Sequence, residues 1–230
     1  MLGGYIIAGV VVVAVLGAIV WRLASRRRSL PCPSWLRWLV ELDNPFTEIN
    51  RAHAIVRSLE LRPGMHVLDV GCGPGRVTIP IAQIIAPGEV VAMDIQAGML
   101  SRVKERAEAA QVKNVRLLEA CAGDGKVGRA QFDRALLVTV LGEIPNQMRA
   151  MREVFDALKP GGVLSVTEVV FDPHFQTQAV VRRLTTAVGF REKRLLGGAL
   201  AYTLLLEKNG GAQHPLAPGG PPSGAQSRSG

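Results

Sequence analysis

HVLDVGCGPG, residues 66–75, decides how this chain is read. A short apolar run ends in three glycines at alternate positions, Gly71, Gly73 and Gly75, and an apolar stretch with helical character follows. Glycine lets a backbone approach a ligand with no side chain in the way. A loop that opens into a helix also presents free N–H groups and the positive end of the helix dipole to an anion. The loop alone suits a dinucleotide, a phosphate, another adenosine cofactor or a plain tight turn. Its neighbours narrow the choice. A G-x-G-x-x-G fingerprint counted from Gly71 and Gly73 needs glycine at 76, where Arg76 stands. No Gly-Lys-Ser or Gly-Lys-Thr ending follows, so the loop is not of the Walker type. Asp69 lies inside the apolar run, where a carboxylate is costly unless it is paired; an amino group on a ligand would serve. Asp94 ends the next apolar run, 25 residues after Asp69, placed to accept from two ribose hydroxyls.

Working outward, the segment 46–209 alternates β-rich runs with amphipathic helices. Strands are expected over 67–71, 89–95, 115–120, 132–141, 163–170, 190–197 and 199–208, and helices over 76–86, 99–111, 146–159 and 175–189. Such alternation means a parallel sheet with helices on both faces. The last two strands have only Gly197-Gly198 between them, so they should pair antiparallel. The expected fold is α/β: a Rossmann-like, seven-stranded, mostly parallel sheet with a C-terminal antiparallel hairpin, preceded by one transmembrane helix.

VLDVGCGPGRVT resembles the D-x-G-x-G-x-G motif of class I S-adenosylmethionine-dependent methyltransferases. EVVAMDIQAGML is similar to their second motif, VFDALKPGGVLSVTE to the segment around their fifth strand, and GFREKRLLGGALAYTLLLEK to their terminal hairpin. The resemblance covers about 65–208 and leaves the substrate open. It implies that S-adenosyl-L-methionine is the cofactor, with Asp69, Gly71, Cys72, Gly73 and Gly75 around its methionine half. Asp94 would hold the ribose and Ile95 would pack on the adenine. The family's usual Gly-Asp-Ala aligns with Ala120-Cys121-Ala122, so Cys121 stands where an acid is common. Either Asp124, three residues on, substitutes, or backbone and water hold the adenine amine.

The cofactor is already activated, so the protein mainly aligns the acceptor and excludes water. A base is needed only where the acceptor must lose a proton. Ligands of such a sheet gather at the carboxyl ends of its strands. There VTVLGEIP, residues 138–145, offers Thr139, Leu141 and Glu143 to the acceptor or methyl donor. Glu143 is the first catalytic candidate, capping of the next helix being its alternative. Glu168, His174, His53 and Tyr202 follow, with His174 read as a loop histidine. Asn50, Arg51 and His53 lie in FTEINRAHAIV, a helix expected to cover the pocket. An Asn-Pro-Pro-Tyr tetrad is absent after the fourth strand, which argues against methylation of nucleic-acid bases or glutamine. The cysteines Cys32, Cys72 and Cys121 have neither disulfide nor zinc spacing, and no metal is expected.

The ends of the chain point to a membrane. Leu2 to Trp21 carries no charged side chain, and twenty residues at helical rise span roughly 30 Å, about one bilayer core. The net charge of +8 includes Arg22, Arg26, Arg27 and Arg28 just beyond that run. By the positive-inside rule this puts the following domain in the cytoplasm. With basic residues clustered there and only 5% aromatics, no nucleic-acid partner is expected. The expected organisation is a transmembrane anchor over 1–24, a basic juxtamembrane segment and amphipathic helix over 25–45, a catalytic domain over 46–209, and a Gly/Pro/Ser-rich disordered tail over 210–230. A membrane-anchored methyltransferase acting on a small or lipid-like acceptor is the reading these features favour. A non-catalytic anchored scaffold of the same fold, its cofactor site eroded at Cys121, is the alternative. Oligomeric state is not legible.

Overall fold

The structure is a computed structural model and describes residues 48–209, together with Gly9. The anchor, juxtamembrane helix and tail expected from sequence lie outside the described residues, Gly9 apart. Among the described residues no helix is long and apolar enough to cross a membrane.

The strands are β1 (Val67–Val70), β2 (Val90–Asp94), β3 (Val115–Glu119), β4 (Phe132–Val138), β5 (Leu158–Val169), β6 (Phe190–Gly197) and β7 (Ala201–Lys208). They form one sheet in the order β3-β2-β1-β4-β5-β7-β6. Only β7 runs against the rest: it pairs antiparallel with both β5 and β6. The expected α/β sheet with its terminal hairpin is therefore present. Every residue of β1 and β2 is buried, which is why both read as unbroken apolar runs rather than as alternating ones.

Helices α1 (Ala52–Ser58), α2 (Thr78–Ile85), α3 (Ala97–Ala109), α4 (Gln147–Ala157) and α5 (Gln178–Val188) cover the two faces. Ile55, Val56, Ile81, Ile85 and Leu136 belong to one core cluster, and Met151, Val154, Val181, Leu137 and Tyr202 to another. Leu136 and Leu137 are consecutive in β4, so α1 and α2 lie across the sheet from α4 and α5.

Three of the boundaries that depart from the expected ones show why. Helix α2 starts at Thr78, not 76, which puts Pro80 in its first turn; a missing N–H there takes no helical bond away. Strand β4 stops at Val138 because Thr139 takes φ +52°, a left-handed conformation that a β-branched residue rarely adopts. A 3-10 turn, Leu141–Glu143, follows. The break expected at Pro160-Gly161-Gly162 lies inside β5, which starts directly after α4. Phe132 pairs with Leu158 and Arg134 with Val163, so the extra β5 residues bulge out, and Pro160, which has no N–H to donate, sits in the bulge.

With no loop between α4 and β5, the last carbonyls of α4 need another donor. Lys208 provides it: its Nζ donates to Phe155 O and Leu158 O, each at 2.7 Å, and lies 4.7 Å from the centre of the Phe155 ring. An ammonium is favourable at the negative end of a helix dipole. Lys208→Met keeps the stem and removes the donors. It should destabilise the domain by about 1–3 kcal/mol, read as a lower urea midpoint with unchanged m-value.

Candidate active site

Strand order reverses between β1 and β4, and the crevice beyond their carboxyl ends is where ligands of such sheets bind. Gly71, Gly73 and Gly75 line the turn out of β1, all with positive φ, +67°, +52° and +82°. A Cβ on Gly71 would run into the side chain of Val140, so the chain leaving β4 packs directly on the loop. The amides of Gly71 and Cys72 donate to Met93 O at 2.7 and 3.0 Å. Cys72 is buried and burial pushes its thiol well up, so it is a packed side chain.

Asp94 is 8% exposed and fastens the loop. Its Oδ2 accepts from Gly73 N at 3.0 Å and its Oδ1 from Gln96 N at 2.9 Å, next to the start of α3. Burial raises its pKa and those N–H groups oppose the rise. Each carboxylate oxygen has two acceptor positions, so both can take a further hydroxyl. Ile95, the next residue, is 49% exposed, an apolar surface just past the carboxyl end of β2.

Asp69 has a partner within the chain, which leaves the ligand amine expected of it untested. It is 3% exposed, and the Thr78 hydroxyl donates to its Oδ2 at 2.6 Å. Desolvation lifts its pKa to about 6; the Thr78 bond opposes this, the charge of Asp94 adds to it and Arg76 lowers it. Arg76, the residue that spoils the dinucleotide fingerprint, donates from Nη1 to Asn50 O at 2.7 Å and ties the incoming chain over the loop.

Beyond β3, Asp124 is exposed and accepts from Cys121 N at 3.2 Å, so it braces its own turn. Glu153 of α4 accepts from Gly123 N and Val127 N and holds the same loop from the other side. Sequence reasoning missed Glu153, since an acid in MREVFDA looks like any polar position of an amphipathic helix.

Glu143 and His174 come together. His174 Nδ1 lies 3.7 Å from Glu143 Oε1 and 4.0 Å from Asp172 Oδ1. The segments carrying them touch, because a Cβ on Gly142 would strike His174 O. His174 is not the open loop residue expected from sequence: it is 6% exposed, its amide donating to Asp172 Oδ1 at 2.6 Å. The chain folds back over it, Gln176 Nε2 donating to His174 O at 2.7 Å. Glu143 does not cap the next helix; Asn146 does, accepting from Arg149 N at 3.1 Å. Three other candidates separate from the site chemistry. Leu141 is fully buried core, His53 is exposed on α1, and the Tyr202 hydroxyl donates to Gln176 O at 2.7 Å as a buried brace.

Glu168, near the end of β5, is 1% exposed. Its Oε2 accepts from Gln176 N at 3.0 Å. Its Oε1, like His174 Nε2, is a buried polar atom with no hydrogen-bond partner among the described residues. Such atoms are costly and concentrate at working sites. Burial pushes the Glu168 pKa up to about 8; the Gln176 amide opposes this, while Asp172 and Glu143 add to it. At neutral pH the group is therefore a neutral acid.

A carboxyl whose pKa is raised by folding stabilises fully below its unfolded value of 4.5, and that contribution is lost as pH rises through 8. The loss is about 1.4 kcal/mol per pH unit in that window. Glu168→Gln cannot ionise and keeps the acceptor for Gln176 N. Its stability relative to wild type should rise by a few kcal/mol between pH 5 and 8, measured by urea unfolding across that range.

The family described as "Methyltransferase domain" matches residues 61–202. Demethylmenaquinone methyltransferase of Bacillus cereus (strain ATCC 10987 / NRS 248) is 34% identical over 108 residues, 46% of either chain. The chain thus spans about half the length of the curated relatives it matches. Two solved structures share the fold. A SAM-dependent methyltransferase from Aquifex aeolicus superposes with TM-score 0.68 at 17% identity, covering 77% of this chain and all of that one. The [4+2]-cyclase SpnF superposes at 0.63 and 17%, covering 70% and 80%. The glycine turn closed by Asp94, and Ile95 open beside it, fit an adenosine-bearing ligand. The chain belongs to the methyltransferase-domain family, and its cofactor is S-adenosylmethionine.

Proposed function

We propose that the chain transfers a methyl group from S-adenosylmethionine to a lipophilic, membrane-borne small molecule that carries an ionisable hydroxyl, of the quinone-precursor kind. The observation that carries this reading is the buried His174 beside the half-buried Glu143 at the carboxyl ends of β4 and β5. The name of the Bacillus cereus relative supports the acceptor class. So does the uncharged run Leu2–Trp21 with its basic flank, read as a single membrane span with the catalytic domain in the cytoplasm.

On this reading Asp94 would take the two ribose hydroxyls on its free acceptor positions, and the amides of the 71–75 loop would meet the amino-acid carboxylate. Ile95 would cover one adenine face. Cys121, its amide held by Asp124, would border the adenine, and Thr139 would border the methionine end. S-adenosylmethionine supplies a sulfonium methyl group already activated for displacement. Glu143 and Asp172 both face His174 Nδ1, which favours the ring proton on that nitrogen and leaves Nε2 as the acceptor. Nε2 would take the hydroxyl proton and make the adjoining oxygen or ring carbon nucleophilic. Glu168, neutral at pH 7, would add no negative charge against the resulting anion.

Two measurements test the reading. Membrane extract is incubated with radiolabelled S-adenosylmethionine and the detergent-solubilised chain. Label should enter the organic phase, and His174→Asn should slow that transfer by about 10²–10⁴-fold with cofactor affinity unchanged. Label confined to protein or aqueous products would overturn the lipophilic acceptor. By isothermal titration, Asp94→Ala should weaken S-adenosylmethionine binding at least about tenfold, the loss expected for about 1.4 kcal/mol. Unchanged affinity would remove Asp94 from the ribose.

A further inference from the structure

Phe171 and Leu200 are the two most exposed of the large apolar side chains among the described residues, at 68% and 65%. They are neighbours in space. Val170, next to Phe171, donates its N–H to Leu200 O at 2.7 Å. Phe171 follows the carboxyl end of β5, and Leu200 sits in the turn between β6 and β7. Because β7 runs against β5, with Ala201 opposite Val169, that turn lies at the same end of the sheet as the active site. His174 is three residues beyond Phe171.

The chain outside the described residues joins at this same end. The 3-10 turn Glu48–Asn50 packs against β5 and β7. Ile49 reaches Gly197, where an added Cβ would strike it, and Arg76 holds Asn50. The preceding residues contain the uncharged run Leu2–Trp21 and the four arginines from 22 to 28. The 26 residues from 22 to 47 extend to roughly 90 Å at most, so such a leash does not by itself set the domain against a bilayer. A contact on the domain itself would set it there, and a weak one suffices once tethering raises the local lipid concentration.

We propose that Phe171 and Leu200 form a lip that dips into the surface of a lipid bilayer, so that the acceptor enters the His174 site from the membrane. This rests on the membrane-borne acceptor reading above. Exposed Phe and Leu side chains at loop tips suit the boundary between head groups and acyl chains, as apolar faces of peripheral helices do. With the chain entering beside the lip, the site mouth faces the membrane plane rather than the bulk.

The full chain is reconstituted into phosphatidylcholine–phosphatidylglycerol vesicles with Trp21, Trp35 and Trp38 replaced by Phe. A single reporter is introduced as Phe171→Trp, Leu200→Trp or, at the opposite sheet edge, Leu117→Trp. Lipid brominated near the top of the acyl chain should quench the first two by at least about twofold on the tether argument and leave the third unquenched. Vesicle-bound protein with positions 171 and 200 unquenched overturns the lip while leaving the acceptor reading intact, since the organic-phase label reports on that separately. Equal quenching at all three positions overturns it as non-specific adsorption. Reporters at 171 and 200 that are buried by self-association, with a dimer mass in light scattering and no bromolipid quenching, assign the surface to a second copy and overturn it as well. A chain that fails to float with vesicles overturns both the lip and the membrane span.

Discussion

The Asp94 carboxylate, closed on two backbone N–H groups from different segments, is the constraint on which the cofactor half of the site depends. Gly73 N and Gln96 N belong to the turns after β1 and β2, and one side chain holds both. Without a Cβ at Gly71 the turn lies flat against Val140, which couples it to the chain leaving β4. The backbone carbonyl of Asp94 also accepts from Ala120 N at 3.1 Å. Three consecutive strand ends are thereby set by one residue, and the acceptor positions left on its oxygens come with that placement.

The acceptor half is built on the opposite logic. Buried polar groups are ordinarily paired, yet Glu168 Oε1 and His174 Nε2 are not. Their neighbours are tied together: Gln176 bonds to Glu168 and to the carbonyl of His174, and Tyr202 bonds to Gln176. The loop 172–176 is thus held through its backbone while His174 Nε2 has no partner among the described residues. On the proposed function this is a preorganised arrangement, in which the orphan groups would gain partners from the substrate. The left-handed Thr139 fits the same pattern, a locally unfavourable backbone kept where β4 meets the crevice.

Much of the fold was legible because its signals are local. The unbroken apolar runs of β1 and β2, the glycine turn between them, and the Gly197-Gly198 turn each carry their own geometry. Two misjudgements arose where a distant residue replaces a local signal. Helix α4 ends without a glycine or a loop because Lys208, some fifty residues away, meets its carbonyls. Pro160-Gly161-Gly162 reads as a chain break, yet pairing with β4 absorbs it as a bulge. Around the crevice, the place of Asp94 and Ile95 at the end of β2 was legible from the apolar run before them. Glu153, Thr78 and Gln176 could not, since their partners are fixed only when helices pack on the sheet.

Sequence by itself determined the architecture and the cofactor. Alternating apolar periods set the order of strands and helices, and D-x-G-x-G-x-G with an acid at the next strand end carries the family resemblance that implies the cofactor. Tertiary structure decided what the remaining polar residues are. It brought His174 from the β5–α5 loop to Glu143 from the β4 turn, buried both the histidine and Glu168, and reduced Tyr202 and Leu141 to supports. Burial decides whether a carboxyl is charged and whether a nitrogen has a partner, and burial is a property of the packed chain. No local stretch of sequence carries it.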